Sequence, residues 1–318
     1  MQTHIGLLIF HLTVMLVAPI FMVGIINRVK SIWAGRRGPR LHQSFFDLTR
    51  LLRKQPVYSH VTSWIFPLAP SIILATTLTA GLFAPVVPGY APLKFPIDFI
   101  CFAYILGLGK IFMMLGALDT GSAFEGMGAS REATYSALAE PVLLLGLGTL
   151  AWAGHAMSFQ DLVAPVSIPW LDAGLRIVVA TALMAVLLIE SSRVPADDPT
   201  THLELTMVHE VMILDHSGPE LAFVQYAAAL KMTIFAGIIA AVLNPFSLHA
   251  AAEPSLLWIG LSMAFSLFAM AAIACSIGLI ESLVARLRFR SLPLFTLAAF
   301  LAVALALILV NVNRELFP

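Results

Sequence analysis

Apolar residues run along this chain in eight blocks, approximately His4–Ile26, Trp64–Val86, Phe95–Leu118, Ser136–Ala156, Leu171–Ile189, Phe223–Leu243, Leu256–Ile280 and Leu292–Val310. Each is about long enough to cross a hydrocarbon core of about 30 Å, which takes roughly 20 helical residues. The pattern predicts an all-α integral membrane protein with eight transmembrane helices, forming one transmembrane domain over residues 1–318. Pro19, Pro70 and Pro141 fall inside or near the ends of blocks, where helices in lipid tolerate them if neighbours satisfy the freed carbonyls. The first block has no basic segment before it and leads into a basic loop. It reads as a retained helix and not as a secretory signal.

Composition agrees with that pattern. Of 318 residues, 59% are hydrophobic and 11% charged, and mean hydropathy is +0.92. Soluble domains carry about a quarter charged residues, so a water-soluble reading is excluded. Net charge is zero, and no nucleic-acid partner is expected beside the lipid bilayer. The distribution of charge is more informative. Arg28, Lys30, Arg36, Arg37, Arg40, Arg50, Arg53 and Lys54 crowd the first inter-block loop against Asp47 alone. Arg193, and then Arg286, Arg288 and Arg290, lie on the same side. The opposite loops offer little beyond Lys94, with Arg314 in the tail. The positive-inside rule makes the basic loops cytoplasmic and both termini outward, in a multi-pass protein of the inner (cytoplasmic) membrane. Cys101 and Cys275 lie within apolar blocks without Cys-x-x-Cys spacing, and read as small buried side chains.

Three polar stretches interrupt the apolar pattern. In the first, RRGPR (Arg36, Arg37, Gly38, Pro39, Arg40) precedes Leu41–Gln55, where Leu41, Phe45, Leu48 and Leu52 recur at helical spacing. That predicts an amphipathic helix in the cytoplasmic interface, either lipid-facing or presented to a soluble partner. The Gly38-Pro39 turn between arginines suits bidentate capture of carboxylates. The second stretch, Leu118–Pro141, reads as a loop kept tight by Gly121, Gly126 and Gly128, with Asp119, Glu125, Arg131 and Glu132 as its charged members. The third, Glu190–Glu220, gathers Glu190, Asp197, Asp198, Glu204, Glu210, Asp215 and Glu220 with His202, His209 and His216.

Ionisable groups at membrane depth cost roughly 2.5–3.5 kcal/mol each on insertion scales and are functional candidates by default. Glu140, Lys110, Arg176, Glu190, Lys231 and Glu281 all fall within or at the ends of blocks, Lys110 and Lys231 more deeply than Arg176. Charges of both signs leading into one acidic stretch suggest a proton or ion relay. His209-Glu210 starts like a zinc-protease helix, but Ile213 stands where its second histidine belongs. Phosphate loops, dinucleotide fingerprints and Gly-x-Ser-x-Gly elbows do not occur. No metal site and no catalytic residue is expected in this chain.

Taken together, RRGPR with its amphipathic helix, Gly128–Arg131 (Gly-Ala-Ser-Arg, read as a turn), Glu140-Pro141 and Glu190-x-x-Arg193-x-Pro195-x-Asp197 resemble the subunit 1 family of respiratory complex I and energy-converting [NiFe] hydrogenases. LDTGSAFEGMGASRE and Ser217-Gly218 resemble the formate hydrogenlyase and hydrogenase-4 branch most. The chain departs from that branch at Thr200, His202 and Asp215-His216, where histidines could carry protons in place of carboxylates. The resemblance implies a non-catalytic membrane subunit that binds no cofactor itself. Its expected partners are a hydrogenase-like large subunit and a small iron–sulfur subunit, which would hold the [NiFe] centre and the clusters, and antiporter-like membrane subunits. Docking would involve Arg36, Arg37, Gly38, Pro39, Arg40, Asp119 and Arg131. A charged path would use Glu140, Glu190, Arg193, Asp197, Asp198, His202, Glu204, His209, Glu210, Asp215, Lys110 and Lys231. Alternatives are a quinone-site subunit of complex I type and a self-contained secondary transporter with its substrate at the bundle centre.

Overall fold

A computed structural model of the chain describes residues 2–163, 169–197, 208–246, 248 and 255–316. Its helices are α1 (Gln2–Trp33), α2 (Gln43–Leu52), α3 (Ile65–Phe83), α4 (Asp98–Asp119), α5 (Ala123–Gly154), α6 (Pro169–Glu190), α7 (His209–Met212), α8 (Gly218–Leu243), α9 (Leu256–Leu283) and α10 (Leu292–Leu316). All but α2 and α7 are long and apolar enough to cross a membrane. No strand occurs among the described residues. Pro19, Pro70 and Pro141 lie inside α1, α3 and α5.

The helices outrun the apolar blocks at the end of the bundle that carries α2 and α7, called here the polar end. Leu118–Pro141 is accordingly not a loop, and Gly128–Arg131 is not a turn. Only Thr120, Gly121 and Ser122 separate α4 from α5, and Gly121, at φ 68°, makes that turn. Gly126 and Gly128 are helical despite a propensity cost of about 1 kcal/mol each relative to alanine. Packing overrides propensity at Gly128: a methyl group there would overlap the Val211 side chain of α7. The helical register also puts Glu125, Gly128, Glu132, Tyr135 and Ala139 on one buried face of α5.

Helix α8 is the axis of the bundle. It packs against α1, α2, α3, α6 and α9, while α5 lies between α4, α6 and α10. Its small residues, Ala236, Gly237, Ala240 and Ala241, let neighbours approach closely, as expected where packing rather than hydrophobicity drives association in lipid. Toward the other end of the bundle, the far end, aromatic and aliphatic side chains pack together. Phe102 meets Phe159 and Phe235 edge-on at 5.1 and 6.1 Å, with Leu147 and Leu183 in the same cluster.

Helix α2 folds back beside α1. A methyl group at Gly24 would overlap the carbonyl of Leu41, so only glycine allows this approach. Of the expected stripe, Phe45, Leu48 and Leu52 fall within α2, and Leu41 just before it. Leu48 turns inward to line a cavity, whereas Phe45 and Leu52 remain about half exposed.

Candidate functional site

Buried charges collect where α4, α5, α6 and α8 meet. Glu190, the last residue of α6, forms an ion pair with Lys110 of α4 and lies 3.5 Å from Nζ of Lys231 on α8. Lys110 also donates to Ser136 Oγ of α5 at 2.9 Å. Glu132 of α5 is buried beside this group and feels the charges of both lysines, while its Oε2 has no hydrogen-bond partner among the described residues. Two carboxylates and two ammonium groups therefore share one low-dielectric volume, where each responds strongly to a change in another. Glu140, two turns along α5, is half-buried facing Gly107 of α4 and still contributes to the field at Lys110.

A second layer of ion pairs ties this group to the polar end. Glu281 of α9, fully buried, pairs with Lys30 of α1 at 2.7 Å and with Arg193 at 3.2 Å. Asp197 is buried, pairs with Arg286 at 3.0 Å, and accepts the backbone N–H groups of Val208 and His209 at 3.1 and 3.2 Å. Its carboxylate thus ties Asp197 to the start of α7. The predicted Asp198, His202 and Glu204 lie outside the described residues.

His209 stands between these charges and a cavity of about 290 Å³. The cavity is bounded by Val23 and Asn27 of α1, Ser44, Asp47 and Leu48 of α2, and Gln225 and Tyr226 of α8, with Arg193, Asp197 and Glu210 at its inner wall. A smaller space of about 30 Å³ touches Lys110, Glu190 and Lys231 and shares Ser191, His209 and Ala228 with the larger one. It has room for about one water. Burial, reinforced by Lys231 and Arg193, pushes the His209 imidazole down to about 3. His216, buried and stacked on Phe66 at 4.1 Å, is pushed down to about 4 by the same loss of solvation. Both rings are neutral near pH 7.

Other predicted residues sit apart from this centre. Asp119 caps α3, accepting from the N–H groups of Ser63 and Phe66 at 2.7 and 3.2 Å. Asp215 is exposed and its N–H donates to buried Glu125 at 3.3 Å. Arg131 lies along α5 with Nη2 3.3 Å from Met127 Sδ. Arg36, Arg37 and Arg40 project as exposed side chains between α1 and α2, and Gly38 packs on Ser31 and Arg28. Arg176 does not reach out to solvent. It pairs with Asp172 at 2.8 Å and donates to the carbonyls of Val163 and Val242 at the far end.

The predicted path omits Glu132, Glu281, Lys30 and Arg286. Reading residues 123–141 as helix would have placed Glu132 one turn from Ser136, on the same face as Glu125 and Gly128. A further cluster also lies outside the prediction: Tyr58 donates to Glu220 Oε1 at 2.5 Å, and Glu220 Oε2 lies 3.4 Å from His216 Nδ1. That hydrogen bond pushes the Tyr58 phenol up to about 12.

Comparison with known proteins matches this architecture throughout. The NADH dehydrogenase family model covers residues 5–312. The chain is 28% identical to hydrogenase-4 component C of Escherichia coli over 292 residues, covering 92% of this chain and 91% of that protein. It is 29% identical to formate hydrogenlyase subunit 4 of the same organism over 294 residues, covering 92% and 94%. An NADH-quinone oxidoreductase subunit of Rhizobium rhizogenes is 25% identical over 321 residues, covering 92% and 89%. Among solved structures, a chain of the membrane-bound sulfane sulfur reductase, an archaeal respiratory membrane complex, shares the fold. Its TM-score is 0.77 at 18% identity, over 96% of this chain and 99% of that one. With the match spanning nearly its whole length and the fold agreeing, the chain belongs to the NADH dehydrogenase family, the family of complex I subunit 1.

Proposed function

We propose that this chain is the membrane anchor and coupling subunit of an ion-translocating redox complex of the hydrogenase type. The buried group of Glu190, Lys110, Lys231 and Glu132 carries the reading. A buried charge network is a weak source of stability, because desolvation offsets the attraction between its members. It is, however, well suited to sensing a proton or electron that arrives nearby. Here the network lies one side chain, His209, from the cavity at the polar end.

In this reading the polar end faces the cytoplasm, both termini face outward, and the membrane is the cytoplasmic one. Exposed Arg36, Arg37 and Arg40 dock a hydrogenase-like large subunit and an iron–sulfur subunit, which hold the nickel–iron centre and clusters. Redox events in those subunits alter the field at Arg193, Asp197 and His209. Glu190 and Lys110 re-pair in response, and Glu132 and Glu140 extend the charged path toward antiporter-like membrane subunits.

Purification of the native chain tests this. Co-purification with nickel, iron–sulfur clusters and antiporter-like chains is the expected result. A chain that comes out alone and moves ions unaided is a secondary transporter, and the reading fails.

A second reading draws on the cavity of about 290 Å³ between α1, α2 and α8. Its lining joins apolar Ile20, Val23, Leu48 and Met232 to His209, Arg193 and Asp197, an arrangement able to hold a quinone ring among polar groups and its tail against α1. A quinone retained in the purified complex, in the absence of nickel, favours this complex I-type alternative.

A further inference from the structure

The two faces of α2 are chemically different. Ser44, Asp47 and Leu48 face inward to the cavity. Phe45, Phe46, Thr49, Arg50, Arg53 and Lys54 line a separate outward groove of about 720 Å³. Along that groove the chemistry changes from aromatic in the first turn of α2 to cationic at and just past its end. Phe45 and Phe46 are each 49% exposed and meet edge-on at 5.9 Å. Arg50 is opposed only by Asp47 at 3.6 Å, an exposed contact, and neither Arg53 nor Lys54 has an ion-pair partner among the described residues.

Two observations place this groove beside the spans. Leu41, just before α2, lies against Gly24, nine residues or about 13 Å short of the end of α1 at Trp33. The inward residues of α2 share a cavity wall with Gln225, Tyr226 and Ala229, seven to eleven residues into α8. A soluble acidic protein would approach from beyond the helix ends, where Arg36, Arg37 and Arg40 stand, and would leave the two phenylalanines uncovered. An amphiphile with an anionic head matches both halves of the groove.

We propose that the outward face of α2 binds an anionic phospholipid, its phosphate on Arg50, Arg53 and Lys54 and its upper acyl chains over Phe45 and Phe46. The aromatic rings and the long cationic stems cover the chains, and the charged groups hold the head at the interface. The site does not depend on which redox partner the chain serves.

The test is native mass spectrometry of the full chain with its accompanying subunits, titrated in detergent with phosphatidylglycerol or phosphatidylcholine. The wild type should retain phosphatidylglycerol at least tenfold better. Arg50→Gln/Arg53→Gln/Lys54→Gln should remove that preference, with roughly three- to fivefold lost per cation. Arg50→Lys/Arg53→Lys should keep it, which separates loss of charge from misfolding. Phe45→Ser/Phe46→Ser should weaken both lipids together. Excess glycerol phosphate should not displace the lipid; displacement would make the site a free-phosphate site and overturn the proposal. A triple variant that keeps the lipid preference also overturns it, as does one that instead sheds a soluble subunit.

Discussion

Asp98 and Glu190 are both buried carboxylates, one at each end of the bundle, and they are satisfied by different means. Asp98, opening α4, accepts backbone N–H groups of Phe159 at 2.5 Å and Phe95 at 3.4 Å. Those donors are fixed by the chain itself, and Phe102, Phe159 and Phe235 pack together nearby. Glu190 instead faces two lysines on different helices, with a second carboxylate, Glu132, beside them and a small cavity at their edge. Backbone donors hold a charge in one state, whereas flexible ammonium groups can redistribute among carboxylates. The same chemical group is therefore a fastener at the far end and a responsive element near the polar end.

Removing one partner from each site separates the two roles. Lys110→Met strands Glu190 and Glu132 with only Lys231 to offset them. Breaking a buried pair in this way costs about 3–5 kcal/mol, so loss of assembled protein or a large fall in thermal midpoint in detergent is expected. Asp98→Ala leaves the buried Phe159 N–H unanswered at about 1–3 kcal/mol, and the Phe95 N–H, part-buried and only 3.4 Å from the carboxylate, adds little. Its thermal midpoint should fall by less, and ion movement per electron in the assembled fraction should be unchanged. A coupling defect in Asp98→Ala would erase the distinction between the two ends.

Acidification should act at the polar end through His216. The His216 ring is held down at about 4, below its ordinary value near 6.5. The unfolded chain therefore binds the proton more readily, and stability present above pH 6.5 is lost as pH falls toward 4. A shift of that size corresponds to roughly 3 kcal/mol at most. His216→Gln should make the decline in thermal midpoint between pH 6.5 and 4.5 shallower, with His209, held down at about 3, carrying the rest. An equally steep decline in that variant would place the acid-sensitive group elsewhere.

The spans were legible because eight long apolar blocks admit almost no other reading in a bilayer, and the acidic stretch stood out against them. The inner third of α5 was not. Glycine, serine and charge between Leu118 and Pro141 look like loop chemistry, and only tertiary contact, Gly128 against Val211, shows why helix prevails. That misreading also hid Glu132, whose role depends on the helical face it occupies. Glu190, Lys110 and Lys231 could be flagged singly as charges in apolar surroundings, but their convergence comes from helix packing that pattern alone does not encode. Asp119 shows the converse case: a charged residue at a loop edge that serves as a cap across two helices.

Glu190→Gln tests the central claim most directly. The amide keeps the size of the side chain and an oxygen that accepts from Lys110, so the complex should assemble. In sealed vesicles, electron transfer and ion accumulation are measured on the same preparation. The predicted result is continued redox turnover with ion accumulation reduced at least several-fold. Wild-type accumulation at wild-type turnover would contradict the account, leaving Glu190 a structural ion pair and no more.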